Sequence, residues 1–266
     1  DAFLAYLGSD AAQEALITDP FLLLDDFSSP DPKDYRAGFP WHPHRGIETV
    51  TYIKSGSVAH HDSIGKKGVI GRDQVQWMTA GSGIIHEEMP QEEAPLLGFQ
   101  LWVNLPKKHK FMAPRYQDVQ AESTPVIKEG RAEIKIICGK VAGASGPVQE
   151  VLAEPLYLDV YLPKGERWVL PTPKDHTVLV YLYEGELPGL KPRQCALYGA
   201  GTELELKAEK DSHFLVLAGA PLKEPIAWYG PIVMNTEEEL AKAFKDLEEG
   251  TFLAEAKKRG KGGAFY

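Results

Sequence analysis

The sequence predicts an all-β protein of two barrels in tandem, with one short helix near its C-terminal end, and three observations carry that prediction. Strand-like segments are short and are separated by Gly, Pro, Asn or Asp. Residues 107–130 are polar, include Pro114 and Pro125, and lie between stretches of similar strand content, as an interdomain connection would. A Gly-bounded apolar strand feeding a hairpin occurs once in each half, at 52–57 and 182–186, which suggests a duplicated barrel. The expected domains are therefore 1–120 and 121–266, the second carrying the helix.

Strands are predicted over 47–53, 75–80, 97–103, 132–138, 156–162, 177–183 and 212–218. In 132–138, Ala132, Ile134, Ile136 and Cys138 share one face against Glu133 and Lys135, the alternation of a half-buried strand. Residues 179–183 are apolar on both faces, as expected for a strand between two packed layers. The helix begins at Thr236, an N-cap with Glu239 three residues on, and stops at Gly250. Leu240, Phe244 and Leu247 form its apolar stripe, to be docked on a barrel. The basic run at 257–264 reads as a tail.

The chain of 266 residues is long enough for two cores, and its 43% hydrophobic and 25% charged residues exclude bulk disorder. A formal charge of −9 gives no general reason to bind nucleic acid directly. No apolar run approaches the roughly 18 residues that span a bilayer, so a cytoplasmic protein without a membrane partner is expected. Cys138 and Cys195 lie in apolar strand segments without metal-ligand spacing and are expected as buried, reduced thiols.

Two short pairs carry the chemistry. His42 and His44 are separated by one residue, which on an extended strand puts both imidazoles on one face, about 6–7 Å apart at the backbone. His86 and Glu88 repeat the device after Gly81 and Gly83. Two such pairs on adjacent strands supply four ligands. Glu48 shares the parity of His42 and His44, so spacing leaves Glu48 and Glu88 as rival carboxylates, the loser serving to orient an imidazole. A mixed nitrogen and oxygen set suits Fe, Mn, Ni, Co, Cu or Zn better than Ca or Mg. Phe39, Trp41, Trp77, Met78 and Ile84 are candidates to line an apolar cavity, and His61 to reach its mouth. His176 and His213 are isolated from any such pair.

The runs FPWHPHRGIETVTY at 39–52 and DQVQWMTAGSGIIHEEMP at 73–90 resemble the pirin family of bicupins. DPFLLLD at 19–25, QLWVNLP at 100–106 and EPIAWYGPIVMNT at 224–236 extend the resemblance over nearly the whole chain. It implies two jelly-roll-type cupin barrels with one divalent metal, Fe(II) in preference to Mn, Ni, Co, Cu or Zn, in the first and none in the second. Carried over position by position, the ligands fall on His42, His44, His86 and Glu88. The resemblance thereby selects Glu88 over Glu48, by analogy. It implies quercetin 2,3-dioxygenase activity on a flavonol and dioxygen; on that reading Glu88, a carboxylate within hydrogen-bond reach of a bound hydroxyl, is the candidate general base. The alternative it offers is an iron-binding regulatory protein with a protein partner.

Overall fold

The computed structural model describes residues 15–91 and 95–254; the basic run at 257–264 lies outside them. Two compact units emerge. The first comprises Phe21–Ala121 together with the chain from Lys223 onward, and the second Glu122–Leu222 with Thr18–Pro20.

Nine strands of the first unit lie before residue 122: β1 (Phe21–Asp26), β2 (Phe39–His44), β3 (Ile47–Ser55), β4 (Val58–Asp62), β5 (Lys67–Ile70), β6 (Val75–Thr79), β7 (Ile84–Pro90), β8 (Leu97–Asn104) and β9 (Arg115–Val119). One antiparallel sheet runs β1-β8-β3-β6-β9 and the other β2-β7-β4-β5. Their inner faces meet through Gln76 on β6 with His60 on β4, and through Thr51 on β3 and Gln100 on β8 with Glu88 on β7. Central β3 is rich in β-branched and aromatic residues, and every position from Ile47 to Ile53 is buried, as a strand covered on both faces requires.

The second unit has β10 (Val126–Glu129), β11 (Ala132–Cys138), β12 (Lys140–Val141), β13 (Ala144–Ser145), β14 (Leu156–Leu162), β15 (Arg167–Pro171), β16 (Thr177–Glu184), β17 (Gln194–Tyr198), β18 (Glu203–Lys207) and β19 (Ser212–Gly219). Six of them form the sheet β10-β11-β14-β19-β16-β17, and β15 pairs with β18. The interior is filled by one apolar cluster that includes Ala132, Ile134, Ile136, Leu158, Val160, Trp168, Val180 and Phe214. His213 lies on the opposite face, its ring stacked against Tyr161 at 4.8 Å and Tyr183 at 5.8 Å. Cys138 is buried as expected, but Cys195 is exposed. It sits on the edge strand β17, which has a neighbour on one side only.

Residues 107–130, read from composition as a connection, hold both β9, paired with β6, and β10, paired with β11. Both are edge strands, and β9 is polar in composition, which resists pairing with other chains.

After Lys223 the chain forms the hairpin β20 (Ala227–Tyr229) and β21 (Ile232–Met234), then the helix Glu237–Glu248. A four-residue helix, α1 (Pro32–Tyr35), precedes it in the chain, so this one is α2. Thr236 accepts from Glu239 N at 3.2 Å, while Glu239 Oε2 accepts from Asn235 N at 3.0 Å, a capping box displaced by one residue. Gly250, at φ +69°, ends the helix. Leu240 and Ala243, flanked by Phe244 and Leu247, pack with Ile232, Met234, Ile85 and Phe111. Burying a Leu or Phe is worth about 1.5–3 kcal/mol, several times a typical helix-propensity difference, so this contact decides where the helix lies. It groups with the first unit, whereas a boundary at 121 had assigned it to the second. No helix among the described residues is long and apolar enough to cross a membrane.

Candidate metal centre

β2 and β7 pair antiparallel with His42 opposite His86 and His44 opposite Ile84. Alternation along β2 turns His42 and His44 to one face, and the register brings His86 against them. Ring centroids lie 4.4 Å (His42 to His86), 4.8 Å (His42 to His44) and 5.1 Å (His44 to His86) apart. One ring nitrogen from each residue falls within a span of 4.8 Å, so this trio could hold a metal ion.

The hydrogen bonds of the trio fit a cation. His42 Nδ1 lies 2.9 Å from Pro40 O, and His44 Nδ1 lies 3.1 Å from Pro231 O. A carbonyl can only accept, so each Nδ1 carries the proton and each Nε2 presents a lone pair. Those two Nε2 atoms stand 3.0 Å apart. Two lone pairs at that distance repel unless a cation satisfies both. His86 is 1% exposed, and neither of its ring nitrogens has a hydrogen-bond partner. Burial, and next the neighbouring His42, hold His44 and His86 well below the usual imidazole range. Both rings are thus neutral and available as ligands at ordinary pH.

Glu88 follows His86 on the same inward face of β7 and is 2% exposed. Its Oε1 accepts from Thr51 Oγ1 at 2.8 Å and its Oε2 from Gln100 Nε2 at 2.6 Å. Trp102 Nε1 donates to Gln100 Oε1 at 2.8 Å, and because an indole can only donate, the amide of Gln100 is oriented with its NH2 toward Glu88. Asp25 on β1 pairs with Gln100, and burial, followed by the charges of Asp26 and Glu88, pushes its carboxyl up to about 6.

Glu48 goes elsewhere. Thr51 faces the interior, and Glu48, three residues before it on β3, has the opposite parity. Its Oε1 accepts from Thr79 Oγ1 at 2.5 Å on the outer side of the sheet, and burial raises its pKa. The parity count from His44 fails because Gly46, at φ +81°, turns the chain between β2 and β3. A Cβ at Gly46 would lie 1.9 Å from Val233 O, so only glycine fits this close turn.

Of the other candidates, Met78 and Ile84 pack with Ile47 and Trp102 in the interior cluster. Trp77 is buried but neighbours the inward-facing Gln76 and so points to the other side of its sheet. Trp41 is 49% exposed, and Phe39 makes an edge contact with Phe27. His61 is exposed beside Trp41 and Glu87, and the inward residue is His60, whose Nε2 lies 2.9 Å from Gln76 Nε2. That nitrogen of Gln76 also donates to Asp118 Oδ1 at 2.9 Å. Sequence reasoning missed Thr51, Gln100, Trp102 and His60. The signal available was polar residues at alternate positions of otherwise apolar strands.

A two-sheet β-barrel with histidines from two adjacent strands turned into its interior, followed by a second barrel with an apolar core, defines a cupin-type protein with two cupin domains. The chain belongs to the pirin family: the Pirin family profile matches residues 6–103, and the Pirin C-terminal cupin domain matches 157–253. It is 43% identical to a pirin-like protein of Caulobacter vibrioides over 90% of this chain and 89% of that one. It is 40% identical to pirin of Homo sapiens, covering 86% and 81% of the two chains. Among solved structures it resembles quercetin 2,3-dioxygenase from Acinetobacter baumannii, with a TM-score of 0.82, 39% identity, and coverage of 90% and 88%.

Proposed function

We propose that this pirin is a mononuclear metal-dependent dioxygenase of the quercetin 2,3-dioxygenase kind, opening a flavonol with dioxygen and releasing carbon monoxide. One observation carries the reading: two histidine Nε2 atoms face each other at 3.0 Å beside a third, unpartnered buried histidine. The solved quercetin 2,3-dioxygenase relative supports the choice of substrate. His42, His44 and His86 would hold the ion together with Glu88, with Fe(II) preferred and Mn, Ni, Co, Cu or Zn compatible with the donor set. Once bound, the metal supplies Lewis acidity that lowers the pKa of a coordinated hydroxyl.

The chain's own groups do the rest. Glu88 accepts the proton of the flavonol 3-hydroxyl, as a carboxylate in hydrogen-bond reach of a bound hydroxyl can. Thr51 is its adjustable partner, since a hydroxyl rotates and can release Oε1. Gln100 is the fixed one, locked by Trp102, and holds Oε2 in place. Met78, Ile84 and Trp102 supply apolar surface to the interior.

The test is anaerobic reconstitution with Fe(II), Mn(II), Ni(II), Co(II) or Cu(II), then addition of flavonol in oxygenated buffer with oxygen uptake and carbon monoxide recorded. Both should appear in equal amounts with at least one metal. Stoichiometric metal binding with neither gas signal for any metal would refute the assignment.

A further inference from the structure

Arg45 follows His44 directly and is 2% exposed. Each nitrogen of its guanidinium has a partner far away in sequence. Nε donates to Ser82 O at 2.8 Å, Nη1 to Asp246 Oδ2 at 2.9 Å and Nη2 to Phe252 O at 2.8 Å, while Cζ lies 4.1 Å from the centre of the Phe252 ring. Ser82 precedes β7, so one side chain ties the turn leading to His86 and the end of α2 to the strand of His42 and His44.

The C-terminal partners are themselves braced. Asp246 Oδ1 and Oδ2 accept from Lys242 Nζ at 2.8 and 3.1 Å. Its backbone carbonyl accepts from Thr251 N at 2.8 Å and Phe252 N at 2.9 Å, which folds the chain back after the helix. Phe252 is 2% exposed and lies against Gly83, where a Cβ would be 2.9 Å from its ring. Val233 N donates to Arg45 O at 3.1 Å. Pro231 O receives the Nδ1 proton of His44. Residues 231–252 therefore touch the histidine strand at His44, at both the backbone and the side chain of Arg45, and through Phe252 at the entry to β7.

We propose that this C-terminal segment is a working part of the metal centre, with Arg45 and Asp246 as positioning residues, so that metal occupancy and the docking of α2 are linked. The inference rests on the reading that the histidine trio binds a metal. The physical reason is that Pro231 O fixes the Nδ1 proton of His44 and so turns its Nε2 inward, while Pro231 leads into β21, which bonds Arg45 through Val233 N and packs through Ile232 and Met234 against α2. Linkage is reciprocal: undocking the helix lowers metal affinity, and metal binding protects the helix from opening. A binder that engages α2 would then change the metal site with no contact to the ligands.

The experiment uses the full chain with Co(II) as probe. Hydrogen exchange of peptides covering 237–252 is measured with and without metal, and Co(II) affinity and visible spectrum are compared among wild type, Asp246→Asn, Arg45→Lys, Arg45→Met and Lys242→Met. Metal should slow exchange across 237–252. Asp246→Asn and Arg45→Met should weaken Co(II) binding about tenfold or more, the usual range for groups that orient a ligand, and alter the spectrum. Arg45→Lys should recover part of the affinity, and Lys242→Met, which removes the brace on Asp246 but keeps its bond to Arg45, should weaken binding less than Asp246→Asn does. Asp246→Asn is nearly isosteric, so its reading does not depend on Arg45→Met folding. Wild-type protein that binds Co(II) with no change in exchange, and Asp246→Asn with unchanged affinity and spectrum, overturns the linkage alone. Wild-type protein that binds none overturns the reading of the site beneath it.

Discussion

Replacing Glu88 by Gln should destabilise the metal-free protein, whereas the same change at Glu48 should not. Glu88 receives two side-chain donors, Thr51 Oγ1 at 2.8 Å and Gln100 Nε2 at 2.6 Å. Hydrogen bonds to a charged acceptor contribute about 1.5–3 kcal/mol each, so roughly 3–6 kcal/mol is at stake. A glutamine keeps one oxygen for Thr51 but sets its NH2 against that of Gln100. Gln100 is prevented from turning by Trp102 Nε1 at 2.8 Å. Relief of repulsion with Asp25, whose carboxyl Glu88 helps push up to about 6, offsets some of the loss. The net expectation is about 2–3 kcal/mol, a fall in melting temperature of about 4–12 °C for a unit of this size. At Glu48 the sign differs. Burial raises its folded pKa, so the ionised form costs stability at neutral pH and a neutral glutamine removes that cost while still accepting from Thr79. Urea denaturation of both metal-free variants at pH 7.5 decides the matter, followed by metal titration. The reasoning is refuted if Glu48→Gln proves the more damaging of the two, or if it, rather than Glu88→Gln, abolishes metal binding.

His86→Leu should leave the metal-free protein as stable as wild type or about 1 kcal/mol more so, because it removes two unpartnered buried nitrogens. It should also abolish the rise in melting temperature that metal confers on wild type; retention of that rise in a thermal scan with and without metal would count against the trio. Lys110 Nζ donates to Gly46 O at 2.8 Å, Asn104 Oδ1 at 2.7 Å and Val233 O at 2.9 Å, and burial lowers its pKa to about 7 against the pull of Glu224 and Glu239. The unfolded chain keeps that proton to about 10.4. Between these values the unfolded state binds more protons, so stability should rise with pH, by up to about 1.4 kcal/mol per unit. Lys110→Met should flatten the slope between about pH 7.5 and 9.5 in urea titrations; equal slopes would show that the three oxygens retain the charge. Gly46→Ala should lose more than about 3 kcal/mol, since it combines a positive φ with a Cβ 1.9 Å from a carbonyl; soluble expression with near-normal melting would overturn that reading.

Much of this protein is legible locally. The predicted strands at 132–138 and 156–162 coincide with β11 and β14, and the other five differ from observed strands by two residues or fewer at either end. The cap at Thr236 and the stripe of Leu240, Phe244 and Leu247 likewise follow from spacing alone. His42, His44 and His86 were visible for the same reason: period-two alternation within a single strand is a property of the backbone that sequence displays directly. Composition misled where strands lie at edges. β9 and β10 looked like a linker because they are short edge strands whose residues are mostly only partly covered, and Cys195 is exposed on the similarly uncovered edge strand β17.

Sequence by itself determined seven of the strands, the helix and the alternation that turns His42 with His44, and His86 with Glu88, to one face of their strands. Tertiary structure decided which carboxylate faces the histidines, because the turn at Gly46 resets the parity that spacing assumed. It decided that His60 and not His61 looks inward, since the phase of β4 is set by its pairing with β7. It also placed α2 on the first unit and Asp246 on Arg45, a contact across 201 residues. A bond over that separation leaves no periodic trace along the chain. It exists only once both sheets have closed around the histidines and the chain beyond Lys223 has returned to pack against them.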